Sequence, residues 1–293
     1  MLVREADRRT GGGPSALHEA AWGGAPGIWP LPSARTAAQR WDRAVVLGGQ
    51  GRYSLGIAEL DALEHLTALD DALASLALST RASWLRQIGR HGEAARYDGA
   101  AVATIGLTRD ASSHLVVEAR CDALTGLAAD ALGSGGFGRA ATLLTRCARV
   151  LAECDGDSEL WRPRLRLQWV SAELAMMSGD GATAVRRALD AREVAGDIDS
   201  LRHRVKTDLI VAAAYSSVGD LASATAGAEA VLGACSEHGL VPLRWASAML
   251  LDGLGAVTPA RAIVAECEAV LGRRGGILAG SRDGGPSGSI GDR

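Results

Sequence analysis

The segments Gly179-Asp-Gly-Ala-Thr-Ala184 and Gly219-Asp-Leu-Ala-Ser-Ala224 share one pattern, in which a glycine is followed five residues later by an alanine. If the residue five positions after the glycine may be Ala or Gly, the pattern occurs four more times. These segments are Gly51-Arg-Tyr-Ser-Leu-Gly56, Gly89-Arg-His-Gly-Glu-Ala94, Gly135-Gly-Phe-Gly-Arg-Ala140 and Gly255-Ala-Val-Thr-Pro-Ala260. The leading glycines are spaced roughly 36 to 46 residues apart, which is the range of helix-pair repeats. The six segments therefore predict turns inside repeated helix pairs.

A second position supports this repeat. The residue seven positions before each leading glycine is alanine in all six cases: Ala44, Ala82, Ala128, Ala172, Ala212 and Ala248. At an Ala frequency of about one in five, chance would give six matches less than about once in ten thousand trials. Glycine leaves the helical region without steric cost, and small side chains let two helices approach closely. We expect structural roles for these alanines and for Gly51, Gly89, Gly135, Gly179, Gly219 and Gly255.

The spacing of Ala, seven residues to Gly and five more to Ala resembles the tetratricopeptide repeat. The residue two after the glycine (Tyr53, Phe137, Leu221 and Val257) is also similar to that family, as is the small residue twelve after it in several repeats (Ala101, Cys147, Ala191 and Cys267), although Leu63 and Val231 are larger. The period is longer than the family's usual one, which predicts longer helices, and the Pro that often ends a repeat is missing. The chain resembles the irregular arrays of bacterial regulators more than the strict consensus.

Composition agrees with an all-helical fold. Ala is abundant in every segment and has the best helix propensity, whereas β-branched residues never cluster with a period of two. One helix pair cannot bury its apolar face alone, so neighbouring pairs stack. The fold class that the resemblance implies is a right-handed α-α superhelix, a solenoid of about six antiparallel helix pairs.

The repeats divide the chain into three parts. Residues 1–35 are rich in Gly and Pro and are expected to form a flexible arm, residues 36–274 form the repeat domain, and residues 275–293 form a disordered Gly/Ser-rich tail. Trp22 and Trp29 are exceptions in the arm, and they would dock either on the protein's own first helix or on a partner. The apolar spacing from Leu55 to Leu78 permits one long helix or two.

Motifs that carry chemistry are weak in this chain. Gly133-Ser-Gly-Gly-Phe-Gly138 matches the dinucleotide-binding G-x-G-x-x-G, but it coincides with the third repeat turn and follows a helical stretch rather than a strand. The six histidines are scattered without metal-ligand spacing and are expected on the surface or in loops: His18, His65, His91, His114, His203 and His238. Cys147 and Cys154 are expected to be small core residues. We therefore expect no catalytic residues, no metal and no cofactor, and a protein that is not an enzyme.

Basic residues cluster at the start of two helix pairs. Arg162, Arg164 and Arg166 open the fourth pair and Arg202, Arg204 and Lys206 the fifth, with Arg186, Arg187 and Arg192 between them. Acidic residues are interleaved, so a solvent face with salt bridges is favoured over a dedicated basic patch. The formal net charge of −3 does not suggest binding to nucleic acid.

The resemblance implies that the first helices of the pairs line a concave groove that holds a peptide or a partner helix. The family's groove positions map onto Trp41, Arg86, Thr125, Arg166, Trp169, Glu173, Lys206, Trp245 and Met249. Trp and Arg are enriched at binding hot spots, although these tryptophans could equally fill gaps between pairs. The family's carboxylate-clamp version uses Asn, which is absent from this chain.

Two functions follow from this groove. The first is a scaffold that binds a protein or peptide partner, and the alternative is a regulatory sensor that binds a small ligand or a signalling peptide. Self-association by end-to-end stacking is a further expectation. No apolar stretch is long enough to span a bilayer, no secretory leader is evident, and the five cysteines form no C-x-x-C, so we expect a cytoplasmic protein without membrane contact.

Overall fold

The computed structural model of the protein describes residues 15–107, 113–154, 156–255 and 257–278. Over these ranges the chain forms thirteen α-helices, one short 3₁₀ helix and no β-strand, which confirms the all-helical fold class. The helices are α1 (Ala16–Trp22), α2 (Ala37–Gly49), α3 (Tyr53–Glu64), α4 (Asp71–Gln87), α5 (His91–Ile105), α6 (His114–Gly133), α7 (Phe137–Ala152), α8 (Trp161–Met177), α9 (Gly181–Gly196), α10 (Leu201–Ser217), α11 (Leu221–Glu237), α12 (Val241–Gly253) and α13 (Val257–Arg273). The 3₁₀ helix is Ser158–Leu160.

The six predicted turns join α2 to α3, α4 to α5, α6 to α7, α8 to α9, α10 to α11 and α12 to α13. Each leading glycine has a positive φ, from 70° at Gly51 to 88° at Gly255, and this backbone region strongly favours glycine. The two helices on either side of each turn pack against each other, and each pair also packs against the next. The glycine positions read from the sequence are therefore the points where the helix pairs turn.

The small residues of the repeat lie where helices meet. All six alanines that precede the turns are at most 1% exposed, and after the turn the residues from Ala94 to Ala260 in the same register are at most 2% exposed. Gly56 is the one glycine in that register, and the indole of Trp84 occupies the space beside it. Helices α4, α8 and α10 are each 17 residues long, which accounts for the long period.

Other positions of the resemblance are less uniform. Tyr53 is buried, whereas Phe137 and Leu221, two residues after their own turn glycines, are exposed. The side chain of Val257 lies outside the described residues. Among the described side chains at this position, the apolar character therefore reflects core packing at Tyr53 and not at Phe137 or Leu221.

The stretch from Leu55 to Leu78 forms two helices rather than one. Helix α3 ends at Glu64 and α4 begins at Asp71. The carboxylate of Asp70 accepts a hydrogen bond from the backbone N–H of Ala72 at 2.9 Å, which caps the second helix.

Residues 15–35 differ from the flexible arm expected for the N-terminus. They include helix α1, in which Leu17, Ala20, Ala21 and Trp22 are buried, and a loop held by specific hydrogen bonds. The backbone N–H of Leu201 donates to the carbonyl of Gly23 at 3.1 Å, and the Gln50 side chain donates to the carbonyl of Pro26 at 2.9 Å. The glycine and proline content lets this segment follow the surface of α2 and α10 closely. Residues 1–14 and 279–293, the remainder of the arm and most of the predicted tail, lie outside the described residues.

The two tryptophans of this segment differ in their surroundings. Trp22 is buried, its indole N–H donates to Asp42 Oδ1 at 2.6 Å, and its ring centroid lies 5.3 Å from that of Trp41. Trp29 is 46% exposed, with the guanidinium of Arg52 only 3.5 Å from its ring centroid. Trp22 thus docks on α2, the first helix of the first pair, which was one of the two alternatives.

The two ends of the helical array are in contact. The backbone N–H of Ser54 donates to the carbonyl of Arg274 at 2.9 Å, and the Arg274 guanidinium donates to the carbonyl of Gln50 at 2.7 Å. Leu271 of α13 packs so closely on Gly51 that a Cβ there would lie 2.5 Å from a Leu271 methyl. Helix α12 also contacts α2. The array therefore closes on itself around a central space.

Among the described residues, none of the helices combines the length and the apolar character needed to cross a bilayer.

Candidate ligand-binding cavity

A cavity of about 770 Å³ occupies the central space. The first helix of every pair contributes to its wall (α2, α4, α6, α8, α10 and α12). Single residues of four other helices complete it: Trp22 of α1, Tyr53 of α3, His91 of α5 and Leu271 of α13. This arrangement follows from the fold, because the first helices pack against one another around the array while the second helices lie outside. The cavity is the feature in which side chains from all the pairs meet.

Eight of the nine predicted groove residues line this single cavity: Trp41, Arg86, Thr125, Arg166, Trp169, Glu173, Lys206 and Trp245. Met249 does not line it and is 45% exposed. Helix α12 approaches α2 near its own start, where Pro242 packs on Gly51, and Met249 lies two turns further along. Eight of the nine groove positions assigned from the resemblance, on six helices, therefore lie together, and Met249 lies outside the cavity.

Tryptophans form much of the wall. Trp41, Trp169 and Trp245 each stand ten residues before the leading glycine of their own turn, so they occupy one register of the repeat. Two of their indole N–H groups are held by the first helix of the next pair: Trp41 donates to Thr80 at 2.9 Å and Trp169 to Thr207 at 3.0 Å. Trp245 donates instead to Glu268 of α13, within its own pair, at 3.3 Å. These rings fill space between neighbouring pairs and also line the cavity, so the gap-filling alternative describes their packing, and a role in binding stays a prediction.

His203 on α10 is buried, which the expectation of surface histidines did not foresee. Its ring stacks 5.8 Å from Trp22 on one side and 5.8 Å from Trp169 on the other, and Trp161 meets its edge at 5.0 Å. Ser200 Oγ lies 2.7 Å from Nδ1. Burial, together with the nearby arginines, holds the pKa of His203 well below its ordinary value, so the ring is neutral at neutral pH.

Three arginines of the wall are paired with acidic residues behind it. Arg86 contacts Asp98 at 3.1 Å and Asp130 at 2.9 Å. Arg162 contacts Glu118 at 2.8 Å and Asp122 at 2.5 Å. Arg166 also contacts Asp122, at 3.3 Å. Burial raises the pKa of Asp98 to about 7, against the opposing effect of Arg86. Arg162 is only 4% exposed, so this part of the basic cluster is an internal network rather than the expected solvent face.

Arg202 and Lys206 are the cavity cations without such pairing. Among the described residues no carboxylate lies within salt-bridge distance of either, and the buried Nε of Arg202 has no hydrogen-bond partner. Their positive charges instead face rings, with Arg202 5.9 Å from Trp22 and Lys206 4.7 Å from Trp169. The pKa of Arg202 is lowered to about 10, chiefly by burial and then by the positive charges of Arg162 and Arg166. Burial also lowers the pKa of Lys206, opposed by the charge of Glu173.

Sequence reasoning missed four cavity residues of consequence: Trp22, Trp84, Arg202 and His203. Arg202 stands one turn before Lys206 on the same helix, and this spacing could have placed the two on one face. His203 and Trp22 gave no comparable signal, because their burial depends on a contact between residues far apart in sequence.

The motifs that resemble cofactor or metal sites are structural. Gly133-Ser-Gly-Gly-Phe-Gly138 spans the end of α6, a turn and the start of α7, so it is a repeat turn, as the sequence indicated. Cys147 is buried in the core and Cys154 is partly exposed just beyond α7. Over the described ranges, no three His, Cys, Asp or Glu side chains are grouped so that they could hold a metal ion.

In comparisons with known proteins, no protein-family model matches the chain and no curated protein gives a significant sequence match.

Proposed function

We propose that this protein is a non-catalytic binding protein that holds a small ligand in its central cavity, in the manner of a regulatory sensor. The observation that carries the proposal is the convergence of eight groove residues, from six different helices, on one cavity of about 770 Å³. Side chains that serve only to fill the contact between two neighbouring pairs would not need to face a common space.

The proposed architecture is a right-handed tetratricopeptide-like superhelix of six antiparallel helix pairs. The six glycine turns with positive φ and the buried alanines before them support it. In such arrays a small rotation per repeat produces a concave inner surface, and longer helices change that rotation. Contact between the first and last pairs would make the inner surface the wall of a central cavity rather than one side of an open groove.

The size of the cavity favours a small ligand over a partner helix. Sites for small molecules typically have volumes of about 300 to 1,000 Å³, and this cavity lies within that range. A helix about 10 to 12 Å in diameter would have only about one and a half turns inside such a volume. Its wall is rich in aromatic and apolar side chains with a few placed charges, which is typical of small-molecule sites.

Two polar groups that could carry chemistry lie behind the wall of the cavity rather than in it. Ser200 and His203 form a close pair, but Ser200 is 1% exposed and does not line the cavity. Asp98, whose pKa lies near neutrality, is fully buried behind Arg86. A general base or nucleophile must reach the reacting atom, and neither Ser200 nor Asp98 faces the space a ligand would fill.

A scaffold that binds a protein or peptide partner is the second candidate. Trp245 is partly exposed where α12 borders the cavity, and the exposed Met249 follows it one turn later, so a chain held in the cavity could continue across α12. A partner captured by the wild-type protein and lost with Trp169→Ala or Arg166→Glu would favour this candidate. A cytoplasmic location, self-association and the absence of nucleic-acid or membrane partners stay predictions.

The test of the proposed function is an equilibrium titration with N-phenyl-1-naphthylamine, a neutral aromatic probe that fluoresces in apolar surroundings. We expect saturable binding at one site per chain. The variant Ala129→Trp/Ala246→Trp brings two indoles into the cavity from α6 and α12, and it should abolish the signal. Ser83→Trp is the alternative filling variant if circular dichroism shows that the first does not fold. Unsaturable fluorescence, or equal binding by folded filled variants, would refute a ligand cavity.

A further inference from the structure

The charged groups of the cavity wall are unbalanced. Five cationic side chains line the cavity (Arg86, Arg162, Arg166, Arg202 and Lys206), whereas Glu173 is the one acidic side chain in its lining among the described residues. The acids behind the wall contact Arg86, Arg162 and Arg166. Positive charge therefore remains on α10.

Arg202 and Lys206 stand four residues apart on α10, so they lie on the same face of the helix. Both have access to the cavity, and neither has a carboxylate within salt-bridge distance among the described residues. The Nε of Arg202 is buried without a hydrogen-bond partner. Cations without an ion-pair partner are costly in a partly enclosed site, because water solvates them poorly there. Glu173 favours the charged form of Lys206 from beyond salt-bridge distance, and this effect is smaller than that of burial.

We propose that the cavity binds a small organic anion whose carboxylate or phosphate group lies between Arg202 and Lys206 and whose planar apolar part lies against the tryptophans. The inference rests on the proposed function of the cavity as a ligand site and adds the chemical class of the ligand. Either anionic group would accept charge-assisted hydrogen bonds from both cations, and the guanidinium fork suits the two oxygens of one group.

The rings next to these cations define the other half of the ligand. The His203 ring is held between Trp22 and Trp169, and Lys206 and Arg202 project beside these two tryptophans. Trp41 and Trp84 continue the aromatic wall toward α2 and α4. A flat aromatic or conjugated group can stack against such rings, since offset and edge-to-face contacts are both favourable.

An acidic protein segment or a nucleic acid fits this site less well. The array closes where Arg274 meets Gln50 and Ser54, so the cations face the central cavity rather than the outer surface of the array. A polyanion binds best where many basic side chains follow its length, but among the described residues Arg202 and Lys206 are the two cations of this wall without a salt bridge. The chain as a whole carries a formal net charge of −3, which does not attract a polyanion to its exterior.

The experiment compares two probes that share an aromatic body. One is 8-anilinonaphthalene-1-sulfonate, which is anionic, and the other is the neutral N-phenyl-1-naphthylamine. Each is titrated into the wild type, into Arg202→Gln/Lys206→Gln and into a control, Arg146→Gln/Arg186→Gln, which removes two charges from exposed positions of α7 and α9. Lys206→Gln alone is the substitute if thermal melts show that the cavity variant does not fold.

We expect the cavity variant to bind the sulfonate probe at least tenfold more weakly than the wild type and the neutral probe within about twofold of it. The control should bind both probes as the wild type does. Equal binding of the sulfonate probe by the cavity variant, with the neutral probe still bound, would overturn the anion site but leave the ligand cavity in place. Failure of the wild type to bind either probe would overturn both proposals.

Competition against the bound sulfonate probe distinguishes the anionic groups. Displacement by 1-naphthyl phosphate at lower concentration than 1-naphthoate would assign the site to a phosphate, and the reverse order would assign it to a carboxylate. Both results support the proposal. Displacement by a hexa-aspartate peptide at lower concentration than either naphthyl compound would overturn the small-anion assignment in favour of an acidic segment.

Discussion

Replacing Gly56 by alanine is expected to destabilise the protein, although alanine is the better helix former. Gly56 lies in α3 at the position that is alanine in the other five repeats. A Cβ there would lie 2.6 Å from the far edge of the Trp84 indole. The same indole closely approaches Gly48 of α2, where a Cβ would lie 2.0 Å from its nitrogen. The ring cannot retreat from one glycine without pressing on the other.

The magnitude follows from two opposing effects. Replacing glycine by alanine inside a helix gains about 0.5 to 1 kcal/mol. Forcing one extra methyl group into a packed core costs about 1 to 3 kcal/mol, and Trp84 is 5% exposed and rigid. The net expectation is a loss of up to about 2.5 kcal/mol.

The matched control is Gly99→Ala in α5, where a Cβ would meet no atom within 4 Å. This variant should gain about 0.5 to 1 kcal/mol, because only the helix preference changes. Urea denaturation followed by far-ultraviolet circular dichroism measures both variants. If Gly56→Ala stabilised the protein as much as Gly99→Ala does, the packing of Trp84 between α2 and α3 would be refuted.

Three further predictions concern the wall of the cavity and the segment that completes it. Trp22→Ala should lower the free energy of unfolding by about 3 to 5 kcal/mol in urea denaturation, because it empties a buried site. Trp29→Ala, at an exposed position, should lower it by less than about 1 kcal/mol. Similar losses in the two variants would contradict the docking of α1. Thr207→Val removes the acceptor of the Trp169 indole N–H and should cost about 1 to 3 kcal/mol, and a neutral effect would argue against that bond. The pKa of Asp98 is raised from 3.8 to about 7, so its protonated form favours folding at low pH and this contribution is lost as the pH rises through 7. The stability of Asp98→Asn relative to wild type should therefore increase by about 1.4 kcal/mol per unit between pH 4.5 and 6.5, whereas a difference independent of pH would refute the shift.

Local rules make the helix pairs predictable from sequence. Glycine is required where the chain turns with a positive φ, and alanine where two helices approach, so both leave a regular trace along the chain. The first helices of the pairs face inward in one register, which is why Trp41, Trp169 and Lys206 could be assigned to a common surface. These features depend on residues close together in sequence.

The closure of the array and the burial of α1 depend on residues far apart in sequence. Arg274 and Gln50 are 224 residues apart in sequence, so no single repeat encodes their contact. Trp22 lies in a segment rich in glycine and proline, a composition typical of flexible arms. Its docking requires Asp42 and His203 to be in place, so composition alone could not predict it.

The same difficulty applies to the charges. Interleaved acidic and basic residues on helices usually form a solvated face, yet Arg162 is buried with Glu118 and Asp122 from α6. The alternation of acidic and basic residues indicates that salt bridges can form. It does not indicate whether they form inside the protein or on its surface. Arg202 and Arg162 are the same residue type in different surroundings. Arg162 has two carboxylate partners, whereas no carboxylate of the described residues lies within salt-bridge distance of Arg202.

The most direct test of the account is a crystal structure of the protein with 8-anilinonaphthalene-1-sulfonate bound. The account predicts one probe molecule in the central cavity, with its sulfonate oxygens within hydrogen-bond distance of Arg202 and Lys206 and its rings against Trp22 or Trp169. A probe bound only on the outer helices, for example beside the exposed Leu189 or Leu221, with the cavity filled by water, would contradict it.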